Sequence, residues 1–311
     1  MKSPYSSPDE GITQSTTGEF VDRLPRIEID ENTFLREHFA VPPLPEIAAR
    51  ILERTAAGDA TSKEISDLLV SDAALSSTVL KLVNSAYYGL PRQITAINHA
   101  VAYLGLAEIN RAVLTASVLQ TLQPDDRAAY REFWRHSFYT ALVAKLLARR
   151  FEPTVDPDET FAAALLHDIG RLVYMIFFPD HYRAMEAEAA ERGTFLMIIE
   201  REQELPSHTR FGSLLCERWN LPAGVKRACE EHEIDTFEDL AEGSDRPIAQ
   251  RMVCCANMLA NLASSPLDEE IKQRIASGFE RIFGCSEQEF LMLMGEVYES
   301  EQQIEGFLSQ L

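Results

Sequence analysis

Apolar residues recur along this chain at the three- and four-residue spacing that lines one face of an α-helix. Ile47, Ala48, Ile51 and Leu52 form the first such stripe. It follows Val41-Pro-Pro-Leu-Pro45, whose prolines lack a donor and restrict their predecessors, so an extended lead-in is predicted there. Past Gly58, Ile65, Leu68 and Leu69 form a second stripe, with Thr61 or Ser62 placed to cap it. Asp72 is placed to cap a third helix holding Leu75, Val79, Leu80 and Val83, which Asn84-Ser-Ala-Tyr-Tyr-Gly89 and Pro91 end. Ile97, Val101 and Leu104 predict a further helix, broken near Gly105, and another runs from Ile109 to Leu122.

The polar stretch Gln123-Pro-Asp-Asp126 reads as a junction between two helical subdomains, short enough that the halves pack together. The second half opens with Phe133-Trp134 and continues through Ala141, Leu142, Ala144, Leu146 and Leu147 to Arg149-Arg150. No stretch shows the sustained alternation of β-branched residues that marks a strand. The expectation is therefore an all-α protein, a multi-helical assembly larger than a four-helix bundle. It divides into an N-terminal helical part over 31–122, a helical core over 123–265 and a C-terminal helical segment over 266–311. That last segment carries ten acidic and three basic residues, which reads as a solvated acidic face. Residues 1–30, rich in Ser, Thr, Pro and Gly with no apolar period, predict a mobile tail, and order is expected to begin near Phe34.

With 311 residues, 46% of them hydrophobic, the chain can bury a sizeable core. No run approaches the roughly 18 consecutive apolar residues of a spanning helix, and the amino terminus lacks the apolar stretch of a secretory signal. The expected compartment is the cytoplasm, with no membrane partner. Cys216, Cys229, Cys254, Cys255 and Cys285 are odd in number and form no CxxC pair, so buried thiols are expected in place of a disulfide framework or zinc ribbon. Twenty-nine basic against forty-nine acidic residues give a formal charge of −20, which repels polyanions, and no dense Lys/Arg cluster offsets it. Direct nucleic-acid binding is disfavoured.

The strongest chemical signal is Ala164-Leu-Leu-His-Asp-Ile-Gly-Arg-Leu172, which places a His-Asp doublet in the middle of a predicted apolar helix. An imidazole and a carboxylate beside a core are costly unless hydrogen bonded or bound to metal, and both suit iron, manganese or zinc. Two readings stand: a metal site, or a polar pair satisfied locally. Glu132 and His136 are four residues apart and share one helix face. Pro206-Ser-His208 stands at a helix start, and Glu231-His232-Glu233 ends the helix holding Val225 and Ala228. Taken singly, His208 and His232 read as surface or core histidines; His38, His99 and His181 have no supporting neighbours.

The order His136, His167-Asp168, His208, His232 resembles the HD superfamily of metal-dependent phosphohydrolases. Val41-Pro-Pro-Leu-Pro45, Asp72-Ala-Ala-Leu75, Asn84-Ser-Ala-Tyr-Tyr-Gly89, Leu104-Gly-Leu106, His167-Asp-Ile-Gly-Arg171 and Trp219-Asn-Leu-Pro222 are similar to its HDOD branch. The resemblance covers roughly residues 40 to 240. It implies an all-α, HD-like core and a bacterial regulatory module that works through a protein partner in a signalling pathway. The related HD-GYP enzymes hydrolyse cyclic di-GMP at a two- or three-iron site, and Glu132, His136, His167, Asp168, His208 and His232 match their ligand positions. Glu231 stands where those enzymes carry the first histidine of a His-His pair, Asn257 where they carry a closing aspartate, and Arg171 where they carry a lysine; the GYP segment is absent. A neutral amide holds a cation more weakly than a carboxylate, and a guanidinium is a rigid fork where an ammonium is a point charge.

The resemblance thus implies a noncatalytic signalling module with iron, or else manganese or zinc, on Glu132, His136, His167, Asp168, His208, Glu231 and His232, all converging on one pocket. The alternative is a metal-dependent phosphohydrolase acting on a nucleotide or cyclic dinucleotide, with Asp168 and Arg171 taking part in catalysis. A sensor that binds a nucleotide without turnover is a third reading.

Overall fold

The computed structural model describes residues 41–85, Tyr88, 90–234, Leu240 and 246–308, together with Leu24 and Ile27. Apart from those two positions, the tail expected over 1–30 and the onset of order near Phe34 lie outside the described residues. Among the described residues the chain forms α-helices and no strand, as the spacing of apolar residues predicts.

The N-terminal part holds α1 (Glu46–Ala56), α2 (Ser62–Val70), α3 (Ala73–Val83) and α4 (Ile97–Thr121). Local chemistry sets their ends. Thr61 accepts from Glu64 N at α2, and Asp72 accepts from Leu75 N at α3, so each covers a backbone donor that the first turn leaves unpaired. At the end of α3, the Asn84 amide donates to Leu80 O and Ile94 O and accepts from Ile94 N, at 2.7–2.8 Å, which ties the following loop back to the helix. Gly105 breaks α4 with φ 81° and ψ 170°, a conformation open to glycine alone without strain. The first three helices all pack on α4.

After the Asp126 cap come α5 (Arg127–Phe151), α6 (Pro157–Leu165), α7 (Ile169–Phe177), α8 (Pro179–Arg192), α9 (Leu196–Glu202), α10 (His208–Arg218), α11 (Ala223–Glu231), α12 (Ile248–Ser264), α13 (Glu269–Phe283) and α14 (Glu287–Leu308). α5 packs against α6, α12 and α14, and α10 against α7 and α11. One continuous apolar core runs through both halves. Hydrogen bonds also cross between them: Tyr130 donates to Leu119 O, and the Trp219 indole donates to Pro42 O, both at 3.1 Å. Phe151, Phe279, Phe283 and Phe290 hold the C-terminal helices on the end of α5, with ring centroids 4.5–5.3 Å apart for Phe151–Phe283, Phe279–Phe283 and Phe279–Phe290.

The His167-Asp168 doublet does not sit in mid-helix. Residues 166–168 form a turn between α6 and α7, closed by His167 N to Ala164 O and Arg171 N to Asp168 O. Within a continuous helix, consecutive side chains diverge by about 100°. The turn relaxes that constraint and lets both residues face the same interior point. The stretch Pro157–Phe177 that contains it is long and apolar enough to cross a membrane by composition, yet 72% of its most apolar window is buried in this fold.

Gly170 fixes how closely α7 meets α10. A Cβ there would lie 1.8 Å from His208 O and 2.6 Å from Gly212 N, so any side chain must force the two backbones apart. We expect Gly170→Ala to cost about 3 kcal/mol or more in urea unfolding, or to abolish soluble expression. Wild-type stability in this variant would show that α10 can shift without loss.

Candidate metal centre

Five separate segments deliver the polar cluster. α5 contributes His136, the α6–α7 turn His167 and Asp168, the first residue of α10 His208, the end of α11 His232, and α12 Asn257. His167, Asp168, His208 and His232 are buried. His167 Nδ1 meets Ala164 O at 2.6 Å and His232 Nδ1 meets Ala228 O at 2.9 Å, while His208 Nδ1 meets the Glu200 carboxylate at 2.8 Å. A carbonyl or carboxylate on Nδ1 makes that nitrogen the proton donor and turns Nε2 toward the centre, the orientation metal-binding histidines adopt.

Asp168 stands between two groups of Nε2 atoms. Its Oδ1 lies 3.2 Å from His208 and 3.1 Å from His232. Its Oδ2 lies 3.5 Å from His136, 3.4 Å from His167 and 3.0 Å from Arg171 Nε. Despite these approaches, neither Asp168 oxygen nor His167 Nε2 has a hydrogen-bond partner of ordinary geometry. Buried polar atoms left this way are expensive. His136, His167 and Asp168 form one group of atoms able to hold a metal ion; Asp168, His208 and His232 form a second.

The electrostatics follow from that crowding. Burial would raise the Asp168 carboxyl, but Arg171 and His167 hold it well below the usual carboxylate range. Burial would likewise lower His208, but the carboxylates of Glu200 and Glu233 hold it well above the ordinary imidazole value. Burial dominates at His136, which is pushed down to about 3, and it lowers His232 against the pull of Asp168. The Arg171 guanidinium is held charged by Asp168 against its own desolvation.

Two expected ligands stand elsewhere. The Glu132 side chain is 62% exposed and pairs with Arg135 at 3.1 Å. It does share a helix face with His136, but the cluster lies level with His136 and Thr140, whose hydroxyl is 3.5 Å from His136 Nε2, and Glu132 is a full turn, about 5.4 Å, away. Glu231 closes α11, and its carbonyl accepts from Arg246 and from Cys254 Sγ; no metal-binding group among the described residues includes its carboxylate. The helix ends there, and Glu233 instead reaches His208 Nε2 at 3.2 Å. Asn257 does enter the cluster: its Oδ1 lies 3.0 Å from His136 Nε2 and accepts from Asn261 Nδ2 at 3.1 Å. The amide oxygen therefore faces an imidazole N–H, and the His136 lone pair points away.

Sequence reasoning missed Glu233 and Glu200. Glu233 stands in the Glu231-His232-Glu233 triplet, where the end of the helix decides which acid turns inward. Glu200 is a lone acid in the apolar run Leu196-Met-Ile-Ile-Glu200, a placement that already asked for a buried partner.

The HDOD domain family model matches residues 41–234, which contain every residue of the cluster except Asn257. An uncharacterised protein of Treponema pallidum is 26% identical over 195 residues, 62% of this chain but 38% of that protein's length. Among solved structures, a provisionally assigned phosphohydrolase of Shewanella amazonensis is 22% identical with a TM-score of 0.66, covering 95% of this chain and 97% of that one. An HDOD domain protein of unknown function from Geobacter sulfurreducens is 23% identical with a TM-score of 0.63, covering 89% and 95%. A provisionally assigned signal transduction protein of Marinobacter aquaeolei is 19% identical with a TM-score of 0.68, covering 94% and 64%. These structures share the fold. With the family match spanning more than half of the chain and enclosing the His/Asp cluster, this chain belongs to the HDOD domain family.

Proposed function

We propose that this chain is a noncatalytic regulatory module of the HDOD type, in which one divalent cation at Asp168, iron by preference, secures the core and the output is contact with a protein partner. The observation that carries this reading is the asymmetry of Asp168. On the Oδ1 side stand His208, His232 and, through His208, Glu233: two imidazoles and two carboxylates, a donor set suited to iron or manganese. On the Oδ2 side the Arg171 guanidinium already supplies a positive charge, and Asn257 presents a neutral amide to His136. A second cation there would meet Arg171 at close range with one fewer anionic ligand to offset it.

Asp168, His208, His232 and Glu233 would hold the cation, with Glu200 orienting His208 and Ala228 O orienting His232. When bound it supplies a positive charge that displaces protons from these side chains and joins the α6–α7 turn, α10 and the end of α11. Both Asp168 oxygens are buried without a hydrogen-bond partner, the condition such a cation relieves. Thiolate zinc ligation is disfavoured, since the nearby Cys229 thiol is pushed well above its ordinary value by burial. Among the described residues, the cavity lined by Arg171, Glu233 and Asn257 measures about 20 Å3, room for one water.

A second reading, a phosphohydrolase acting on a nucleotide or cyclic dinucleotide, draws support from the two metal-capable groups that meet on one shared carboxylate. Two experiments separate them. Elemental analysis of freshly purified protein should find about one metal ion per chain, lost in Asp168→Ala and His232→Ala but retained in Glu132→Gln and Glu231→Gln. Equal metal content in all five proteins would sink the site.

Asn257→Asp restores an anionic ligand beside His136 and should raise metal content from about one toward two ions per chain. The metal-loaded wild type should leave cyclic di-GMP intact over hours by chromatography. Turnover by the wild type would overturn the noncatalytic reading, and turnover gained only by Asn257→Asp would locate what this chain lacks.

A further inference from the structure

The C-terminal helix α14 lies beyond the residues matched by the family model, and its outer face gathers exposed apolar side chains. Five large apolar residues are strongly exposed among the described positions, and three of them are on this helix: Leu291 at 60%, Met292 at 63% and Tyr298 at 70%. Leu291 and Tyr298 are two turns apart on one face. Gly295 lies between them, and a Cβ built there would meet nothing within 4 Å. Opposite them, Phe290, Leu293 and Leu308 are buried, so the helix is seated on the protein by its other side. Exposed apolar residues scattered singly need no explanation, but three gathered around an open glycine make a contact surface.

Charge decides what fits it. By sequence α14 carries six glutamates, Glu287, Glu289, Glu296, Glu299, Glu301 and Glu305, and no lysine or arginine, so it stays net acidic even with Glu296 paired to Arg150 of α5 at 3.5 Å and Glu289 accepting from Ser286. A second copy of this helix would bring two net acidic helices together, and an anionic lipid surface would be repelled in the same way. A partner that buries the apolar stripe and relieves the repulsion must be apolar at its centre and basic at its edges. We propose that the outer face of α14 docks a basic amphipathic helix of a partner protein, with Leu291, Met292 and Tyr298 as the apolar anchors and Gly295 allowing close approach of the two backbones. This deepens the protein-partner part of the functional reading and rests on that part alone, since no atom of the metal centre is involved.

The test uses the full chain and a labelled helical peptide of roughly eighteen residues, with leucines at i, i+3, i+4 and i+7 and lysines on both flanks. A scrambled peptide of the same composition controls for attraction to a protein of net charge −20. Two variants leave the charge untouched: Leu291→Ser with Met292→Ser, and Gly295→Leu. Fluorescence anisotropy should show the amphipathic peptide binding the wild type, weaker binding by the scrambled peptide, and about a tenfold loss of affinity in each variant. Circular dichroism and melting temperature should stay at wild-type values in both variants, because every substituted position faces outward.

Absent binding, equal binding of the scrambled peptide, or unchanged affinity in both variants would each overturn the proposal. So would a wild-type dimer in sedimentation that either variant converts to monomer, since the face would then belong to a second copy. Metal content measured on the same preparations keeps the two proposals apart: loss of docking with metal retained strikes only at α14, and loss of metal with docking retained strikes only at the Asp168 site.

Discussion

A single buried carboxylate organises the interior of this protein. Asp168 is fully enclosed, ionised, and surrounded by four imidazoles and a guanidinium. Removing a carboxylate from water costs several kcal/mol unless neighbouring charge and hydrogen bonds compensate, so every segment that contributes compensation is constrained in position. The turn at 166–168, the start of α10, the end of α11 and one turn of α5 must all arrive within about a hydrogen bond's length of one another. Gly170 shows how tight the requirement is, because only a residue without Cβ lets α7 come close enough to α10 for His208 to reach Asp168.

The compensation extends outward through a second ring of contacts. His208 carries positive charge because Glu200 and Glu233 face it from two sides, and Glu200 also accepts from the His208 backbone N–H. Burying Glu200 at the end of the apolar run Leu196–Ile199 therefore fixes both the ring and the first turn of α10. On the opposite side, Asn261 orients the Asn257 amide, whose oxygen meets His136. Oriented dipoles and a fixed guanidinium perform there the charge balancing that a cation would otherwise perform. The cluster is thus half prepared for a metal and half closed by protein groups, an asymmetry that sequence position alone does not convey.

What the sequence made legible follows from the range of each signal. Helices came through because their apolar periodicity and caps are local: Thr61, Asp72 and Asn84 act within ten residues of themselves. The order of the histidines and the doublet pointed to one centre, and the structure does bring His136, His167, Asp168, His208 and His232 together. Errors arose where a one-turn or one-residue difference decides direction. Glu132 shares a face with His136 yet sits a turn too far along it; Glu231 and Glu233 flank the same histidine, and only the end of α11 selects between them. The doublet looked helical because its neighbours are uniformly apolar, which hides a turn whose own backbone bonds are of the short i to i+3 kind. Asn257 was identifiable as a neutral replacement, but its grip on His136 depends on Asn261, one helical turn away.

The distribution of charge bears on what can approach this centre. The chain carries a formal charge of −20, and at the centre the buried carboxylates of Asp168 and Glu200 are matched by imidazoles and Arg171. Of the residues lining the cavity beside the cluster, Arg171 is the single cation, and its guanidinium is engaged by Asp168 at 3.0 Å. A cyclic dinucleotide bears two negative charges and would have to cross an acidic exterior, then displace that ion pair to find a cation of its own. Each step is unfavourable at ordinary ionic strength, and a cavity of about 20 Å3 is far too small to enclose a dinucleotide and so offset that cost. A divalent cation meets the reverse conditions, since the exterior attracts it and Asp168 with Glu233 receives it. On the proposed reading, the acidic exterior that repels a phosphate ester attracts a cation to Asp168 and a basic partner to the surface.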